Sequence, residues 1–466
     1  MDKSAIQKEL LKIFGKDRLL HDELDLMYYS YDSSFLTKLE TKSPYAVVFP
    51  KSTEDVQKIM QFAYQNDINI IPRGAGTGET GGCVAVEGGI VLDLSTWDEI
   101  VEIDQKNMQV IVRPGVIHAK LNEELAKYNL FFPPDPGSSL MCTVGGMVAN
   151  NASGLRAVKY GCTEQYILGL EVVLPNGDVM ITGGMRSRAI KNVSGLNLTK
   201  LMVGSEGILG VITRIRLRCF PKPRARGIAM AVFDKLDDAP ATVLDVYQAG
   251  ILPSGIEILD SSAIKAVNDF KPHIKLPDAE AILLFEVDGN PPSVEFEGNV
   301  IREMASKRAR SVEWATEAKR MAELWEGRSV TAAAAARVRP DGTRIFAGED
   351  ISVPLSRVAD TLRAIRALGD KYGIQVVNYG HIGDGNVHTA PVINPENPEE
   401  VERVLKLVDE IHRLAIEMEG TTTGEHGVGA VRRQYAHLEH GTAHDYMLKT
   451  KQAFDPKGIM NPGKLI

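Results

Sequence analysis

Residues 71–82 read Ile-Pro-Arg-Gly-Ala-Gly-Thr-Gly-Glu-Thr-Gly-Gly, a glycine-dense loop directly after the apolar run Ile68–Ile71. Gly74, Gly76, Gly78, Gly81 and Gly82 lack a β-carbon, so the backbone can take positive φ and turn successive N–H groups toward one anion. The pyrophosphate of a dinucleotide cofactor suits such a loop. Gly76-Thr-Gly78-Glu-Thr-Gly81 also satisfies G-x-G-x-x-G, but a Rossmann loop opens a helix and needs an acidic residue about 20 positions on. The stretch from Gly82 to Leu94 is instead glycine and β-branched, which is strand chemistry. That argues against the Rossmann reading, and the plainer rival is a simple surface turn.

At 466 residues the chain exceeds one ordinary core, so two or three domains are expected. Hydrophobic residues at 44% and charged residues at 24% fit a globular protein, with no low-complexity tract beyond Ala332–Ala336. No apolar stretch reaches membrane-span length and the first residues carry no secretion signal, so the expected location is the cytoplasm. A net charge of −8 with scattered basic residues argues against nucleic acid as a partner. Cys83, Cys142, Cys162 and Cys219 lie far apart with no Cys-x-x-Cys, which argues against an iron–sulfur cluster and for reduced core thiols.

The chain reads as α+β. Strands Tyr45–Phe49 and Ile90–Leu94 alternate with helical stretches, among them Glu54–Asn66 with Val56, Ile59, Met60 and Ala63 on one stripe. Pro175-Asn-Gly-Asp178 reads as a hairpin turn, and the strand Ile208–Cys219 ends at Pro221-Lys-Pro223. That proline pair marks a boundary. Beyond it, strands Ile228–Phe233, Ile256–Leu259 and Ala281–Val287 alternate with helices Leu236–Tyr247, Ala263–Phe270 and Val294–Lys307. The expected division is 1–222, 223–416 and a C-terminal segment 417–466 that completes the active site.

Seven ordered motifs carry a family resemblance. They are the glycine loop, Pro133-Pro-Asp-Pro-Gly-Ser-Ser139, Thr143-Val-Gly-Gly-Met-Val-Ala-Asn-Asn-Ala-Ser-Gly154, Val203-Gly-Ser-Glu-Gly-Ile-Leu-Gly-Val-Ile-Thr213, His381-Ile-Gly-Asp-Gly-Asn-Val-His388, Gly424-Glu-His-Gly427 and Asn461-Pro-Gly-Lys464. In these the chain resembles the FAD-linked oxidases of the vanillyl-alcohol oxidase and p-cresol methylhydroxylase type, on the side of D-lactate dehydrogenases and the D subunit of glycolate oxidase. The resemblance implies an FAD-binding domain, a substrate domain with an antiparallel sheet covered by helices, and a tail returning to the flavin. It assigns the pyrophosphate to Pro72, Arg73, Gly74, Ala75, Gly76, Thr77, Gly78 and Gly82. The flavin falls to Pro134, Asp135, Ser138, Thr143, Gly145, Gly146, Asn150, Asn151, Ser153 and Gly154. Glu206, Gly207, Val211 and Ile212 take the adenine end, and Asn461 the returning tail. No histidine lies in the glycine loop, so non-covalent FAD is expected.

Asp384-Gly385 between β-type runs predicts a two-residue type I′ hairpin that sets His381 opposite His388. Opposed residues share a face with β-carbons about 5 Å apart, close enough for both imidazoles to meet one cation. Glu425 can supply an anionic third ligand, a set that suits zinc, manganese or iron(II). Two hydrogen-bonded hairpin histidines are the simpler alternative. The resemblance makes His426 the catalytic base, a side-chain type whose unperturbed pKa of about 6.5 suits proton transfer near neutrality, and Arg328 the grip on the substrate carboxylate. Relatives acting on 2-hydroxyglutarate carry polar or basic residues where this chain has Ala332, Gly348 and Ala390, which favours a short monocarboxylate such as D-lactate or glycolate. Electrons are expected to pass to an electron-transferring flavoprotein or an iron–sulfur subunit, with oxygen as the alternative acceptor. A homodimer is compatible with the sequence. The rival classes are a metal-dependent hydrolase and a non-catalytic flavin-binding subunit.

Overall fold

A computed structural model describes residues 1–35, 43–345 and 350–466. The chain forms two compact units, one of residues 1–153, 162–222 and 425–466, the other of 154–161 and 223–424. The chain therefore changes unit four times, at Ser153/Gly154, Gly161/Cys162, Lys222/Pro223 and Gly424/Glu425.

In the first unit, β1 (Leu19–Leu20), β2 (Ala46–Val48), β3 (Ile70–Arg73) and β4 (Ile90–Asp93) form a sheet in the order β1-β2-β4-β3, with β2 and β3 parallel to β4. Helix Thr53–Asn66 starts where the Ser52 hydroxyl accepts the N–H of Asp55. It buries Val56, Ile59, Met60 and Ala63 against Ala46, Val48, Ile70, Ile90 and Leu92. A second, antiparallel sheet joins β5 (Ile100–Asp104), β6 (Gln109–Val112), β8 (Ile167–Val173), β9 (Val179–Ile181) and β10 (Val211–Arg218) in the order β5-β6-β10-β8-β9. β7 (Leu130–Phe131) pairs with β11 (Phe220–Pro221).

The second unit is an antiparallel sheet under helices. It joins β12 (Ala225–Phe233), β13 (Gly255–Asp260), β14 (Ala281–Gly289), β15 (Ser311–Ala315), β16 (Thr343–Arg344), β18 (Gln375–Gly380) and β19 (Asn386–Ile393) in the order β15-β12-β14-β13-β18-β19-β16. β17 (Ile351–Ser352) pairs with β19 off this path. Strand alternation turns Leu259 and Val377 toward one face, where they pack with Ile264 and Val267 of helix Ser261–Phe270 and Leu324 and Ala334 of helix Ala318–Ala335. The mixed architecture agrees with the α+β expectation.

Residues 154–161 leave the first unit's sequence to join this sheet. Arg156 Nε donates to Glu286 Oε1 at 2.7 Å, and Arg226 pairs with the same carboxylate. Lys159 Nζ and the Tyr160 hydroxyl reach the two oxygens of Asp288 at 2.7 and 2.8 Å. A β-carbon at Gly255 would lie 2.8 Å from Leu155 Cδ2 and 3.1 Å from Leu155 O, so the leucine side chain would have to shift.

Candidate active site

In the first unit, the glycine loop runs from the end of β3 to the start of β4 and opens no helix. Only Ile90–Asp93 of the predicted strand stretch is a strand, because Gly88 and Gly89 turn the chain with φ of +71° and +130°. Gly76 takes φ +70°, as an anion-cradling turn requires. Gly81 is a correction: its N–H donates to Asp32 Oδ2 at 2.7 Å, so that donor is spent within the protein. Arg73 also turns its side chain inward, to Tyr31 O, to Cys83 Sγ and over the Tyr29 ring, leaving its main chain on the loop.

The C-terminal tail is fastened to this loop. Asn461, at φ +41°, donates its side-chain N–H to Gly82 O and Glu206 O, both at 2.8 Å, and its backbone N–H to Ile70 O. Lys464 Nζ donates to Val84 O at 2.7 Å, and burial pulls its pKa down to about 8. Gly207, at φ +75°, packs on Pro72, where a β-carbon would lie 3.2 Å from the proline ring. Asn461 Oδ1 is buried with no hydrogen-bond partner among the described residues, an acceptor that suits a donor on a bound ligand. Together with the positive-φ glycines, it makes this region a fit for FAD.

The third motif begins with Thr143, whose hydroxyl caps helix Val144–Asn150 by accepting the N–H of Gly146 at 3.2 Å. Gly145 lies against Pro114, where a β-carbon would be 2.6 Å from the proline side chain. Asn150 Nδ2 donates to Glu425 O at 2.8 Å and Ser153 Oγ to Glu425 Oε2 at 3.2 Å. Asn151 is left-handed, with Oδ1 on the N–H of Glu164. Glu206 accepts the N–H groups of Val428 and Gly429, both at 2.7 Å, while burial raises its pKa. The Glu425–Gly429 loop is thus tied to the Thr143–Gly154 and Val203–Thr213 motifs. His426 Nδ1 lies 3.2 Å from Glu79 Oε2 and its Nε2 lies 3.8 Å from Glu425 Oε1. Pro134, Asp135 and Ser138 lie on the loop before Thr143, Val211 and Ile212 are buried on β10, and Gly154 opens the segment that joins the second unit.

The second unit holds Arg328, His381 and His388. The predicted type I′ hairpin is absent. A 3₁₀ turn at Ile382–Asp384 followed by left-handed Gly385 connects the strands, and Tyr379, not His381, pairs with His388. Asp384 keeps a negative φ because its N–H donates back to His381 O in that turn, so one of the two positive φ values of type I′ is missing. The register moves by two residues, an even number, so the face is conserved. The two imidazoles still meet, with ring centres 5.0 Å apart and planes nearly perpendicular.

Glu257, on β13, organises the group and was not found from the sequence. Its side chain is fully buried; Oε1 lies 2.5 Å from His381 Nδ1, and Oε2 pairs with Arg328 Nε. The Arg328 guanidinium also stands over the Tyr379 ring, 4.9 Å from its centre. With Nδ1–H directed at a carboxylate, His381 carries its lone pair on Nε2, the tautomer that ligates metals. The donor set fits a divalent cation on this count. Asp350 is a second unpredicted carboxylate. It is fully buried, accepts from Asn386 Nδ2, Thr423 Oγ1 and the N–H of Gly424, and lies 3.9 Å from His388 Nδ1. Ala332 is half-buried and Ala390 buried, while Gly348 lies outside the described residues.

Comparison with known proteins follows this layout. Residues 44–183 match a family described as FAD binding domain, and 222–465 match FAD linked oxidases, C-terminal domain. The glycolate oxidase subunit GlcD of Bacillus subtilis is 38% identical over 463 residues, covering 99% of this chain and 96% of that protein. A D-lactate dehydrogenase of Archaeoglobus fulgidus is 34% identical, covering 91% of each. The solved 4-ethylphenol oxidase from Gulosibacter chungangensis superposes with a TM-score of 0.81 at 20% identity, covering 99% of this chain and 97% of that one. Crystalline p-cresol methylhydroxylase gives 0.81 at 17%, covering 99% and 96%. These two structures speak for the fold alone. Among the described residues no helix is long and apolar enough to cross a membrane.

Proposed function

The chain belongs to the FAD-linked oxidases, and on that premise we propose that it oxidises a short D-2-hydroxy acid, D-lactate before glycolate, to the 2-oxo acid. The observation that carries this reading is the buried Arg328–Glu257–His381 group beside His388. Held at Nε by Glu257, the Arg328 guanidinium keeps its two Nη groups for a forked grip on a substrate carboxylate. Alanines at 332 and 390 offer no charge for a second carboxylate, which supports a monocarboxylate. Glycolate is the second reading because the GlcD relative covers nearly the whole chain.

Bound FAD supplies the hydride acceptor, and a divalent metal (zinc, manganese or iron) supplies a Lewis acid. The pyrophosphate is assigned to the main chain of 72–78 and Gly82, the flavin to the 134–154 motifs and Asn461, and the adenine end to Glu206, Gly207, Val211 and Ile212. His381, His388 and Glu425 are assigned to the metal. His426 removes the substrate hydroxyl proton, with Glu79 beside its Nδ1 and Glu425 beside its Nε2. The absence of histidine from the glycine loop supports non-covalent FAD. A separate protein, an electron-transferring flavoprotein or an iron–sulfur subunit, is assigned as acceptor for the electrons that bound FAD would carry, and the chain is assigned to the cytoplasm.

The visible spectrum of purified protein tests this directly. We expect an oxidised-flavin spectrum that bleaches with D-lactate, more slowly with glycolate, and not with L-lactate or 2-hydroxyglutarate. Flavin that no 2-hydroxy acid bleaches would reject the reading, and turnover with an artificial dye against oxygen alone separates the two classes of acceptor.

A further inference from the structure

Glu257 sits in the apolar run Gly255-Ile-Glu-Ile-Leu of β13, central in its sheet and fully buried. An ionised carboxylate there is costly unless hydrogen-bonded to cationic or N–H donors. Both oxygens have such a donor, and both donors belong to the proposed site. Arg328 comes from helix Ala318–Ala335, and His381 follows the end of β18.

We propose that Glu257 is a positioning residue shared by the two halves of the substrate site, one oxygen fixing Arg328 and the other fixing the tautomer and tilt of His381. Carboxylate gripping and metal ligation are thereby coupled through a single side chain. This rests on the function proposed above. The chemistry requires a carboxylate specifically. A carboxylate accepts on both oxygens, whereas an amide accepts on one end and donates on the other. Glutamine at 257 can serve His381 with its oxygen and then presents N–H groups to a guanidinium that only donates. Flipped, it serves Arg328 and drives His381 toward the wrong tautomer. Glu257→Gln keeps the volume and cannot satisfy both partners.

The test uses the FAD-loaded full chain, saturated with zinc and then dialysed against graded chelator. The readouts are zinc retained per chain, the dissociation constant of pyruvate from its perturbation of the flavin spectrum in zinc-stripped protein, and the melting temperature. For E257Q we expect zinc affinity and pyruvate affinity each to fall by about 10- to 100-fold, the usual cost of losing a supporting partner, with flavin content kept and a cooperative melt retained at a lower midpoint, as removal of a buried charge requires. Both affinities within about twofold of the parent, or a change in only one, overturns the proposal. So does a parent chain that retains no zinc after loading.

Should E257Q not fold, Arg328→Lys and His381→Asn carry the test. Coupling requires R328K to release zinc more readily although Arg328 is no ligand, and H381N to weaken pyruvate although His381 does not grip it. Independent behaviour overturns the coupling. A parent chain that no 2-hydroxy acid reduces removes the substrate assignment, while zinc retention in E257Q against parent still decides the role of Glu257.

Discussion

The two units hold their functional groups by opposite means. In the first, the work falls to main chain: positive-φ glycines, peptide carbonyls clasped by Asn461 and Lys464, and N–H groups gathered by Glu206 and Asp32. In the second, it falls to buried carboxylates shared among hydrogen-bond donors: Glu257 between Arg328 and His381, Glu286 between Arg156 and Arg226, Asp260 between Arg366 and a helix start. A backbone site fails when an atom is added. An ionic site fails when a charge is removed.

The largest expected effect lies in the second unit. Against burial that would raise its pKa, Arg156 and Arg226 hold the Glu286 carboxyl below its ordinary range. Glu286→Ala leaves two arginines facing an empty site, and breaking such a pair costs about 3–5 kcal/mol; the low end applies because both arginines reach solvent in part. A shift of the urea midpoint worth under about 1 kcal/mol would abolish the contrast between the units.

Acid sharpens the comparison next. Burial pulls the pKa of His118, in the first unit, down to about 4. A histidine lowered in the folded state contributes its stability in full above its unfolded pKa of about 6.5 and loses it as pH falls toward 4, a loss of about 3 kcal/mol. Glu286, lowered as well, keeps its contribution above the ordinary carboxylate range and loses it only below. Hydrogen exchange across pH 6.5 to 4 should therefore show the first unit loosening before the second; simultaneous loosening, or none, contradicts this.

Chemistry is then separable from scaffold. His426→Ala should lower turnover at least about a hundredfold, near 2.7 kcal/mol, with flavin colour and melting temperature kept; a fully active variant removes the assigned base. The smallest effect is the added atom. Gly145→Ala forces a methyl against Pro114 at a cost of about 1–2 kcal/mol, which should appear as faster FAD loss on dilution. Unchanged FAD retention would show that the backbone there yields.

The same contrast explains what could be read from the sequence. Elements set by local pattern were legible: the stripe Val56, Ile59, Met60, Ala63 lies buried on helix Thr53–Asn66, and the strands read near 228, 256 and 281 are β12, β13 and β14. Glycine motifs were legible because backbone geometry leaves a compositional trace. The His381–His388 connection was misread in detail because Asp-Gly serves a 3₁₀ turn as well as a type I′ hairpin, although the even register kept both rings together. Glu257 was missed for a different reason. Its partners lie 71 and 124 residues away, and an isolated glutamate in an apolar strand has no spacing to betray it. That it interrupts Ile256 and Ile258 was the only available signal.

Gly154–Gly161 has a practical consequence for anyone who would dissect this enzyme. A fragment beginning at Pro223 would lack Arg156, one of the two guanidiniums on Glu286, and Lys159, the ammonium on Asp288, so truncation at the apparent boundary should yield insoluble material. During synthesis, Arg156 emerges 130 residues before the glutamate that receives it. The early peptide has to wait, undocked, until β14 leaves the ribosome.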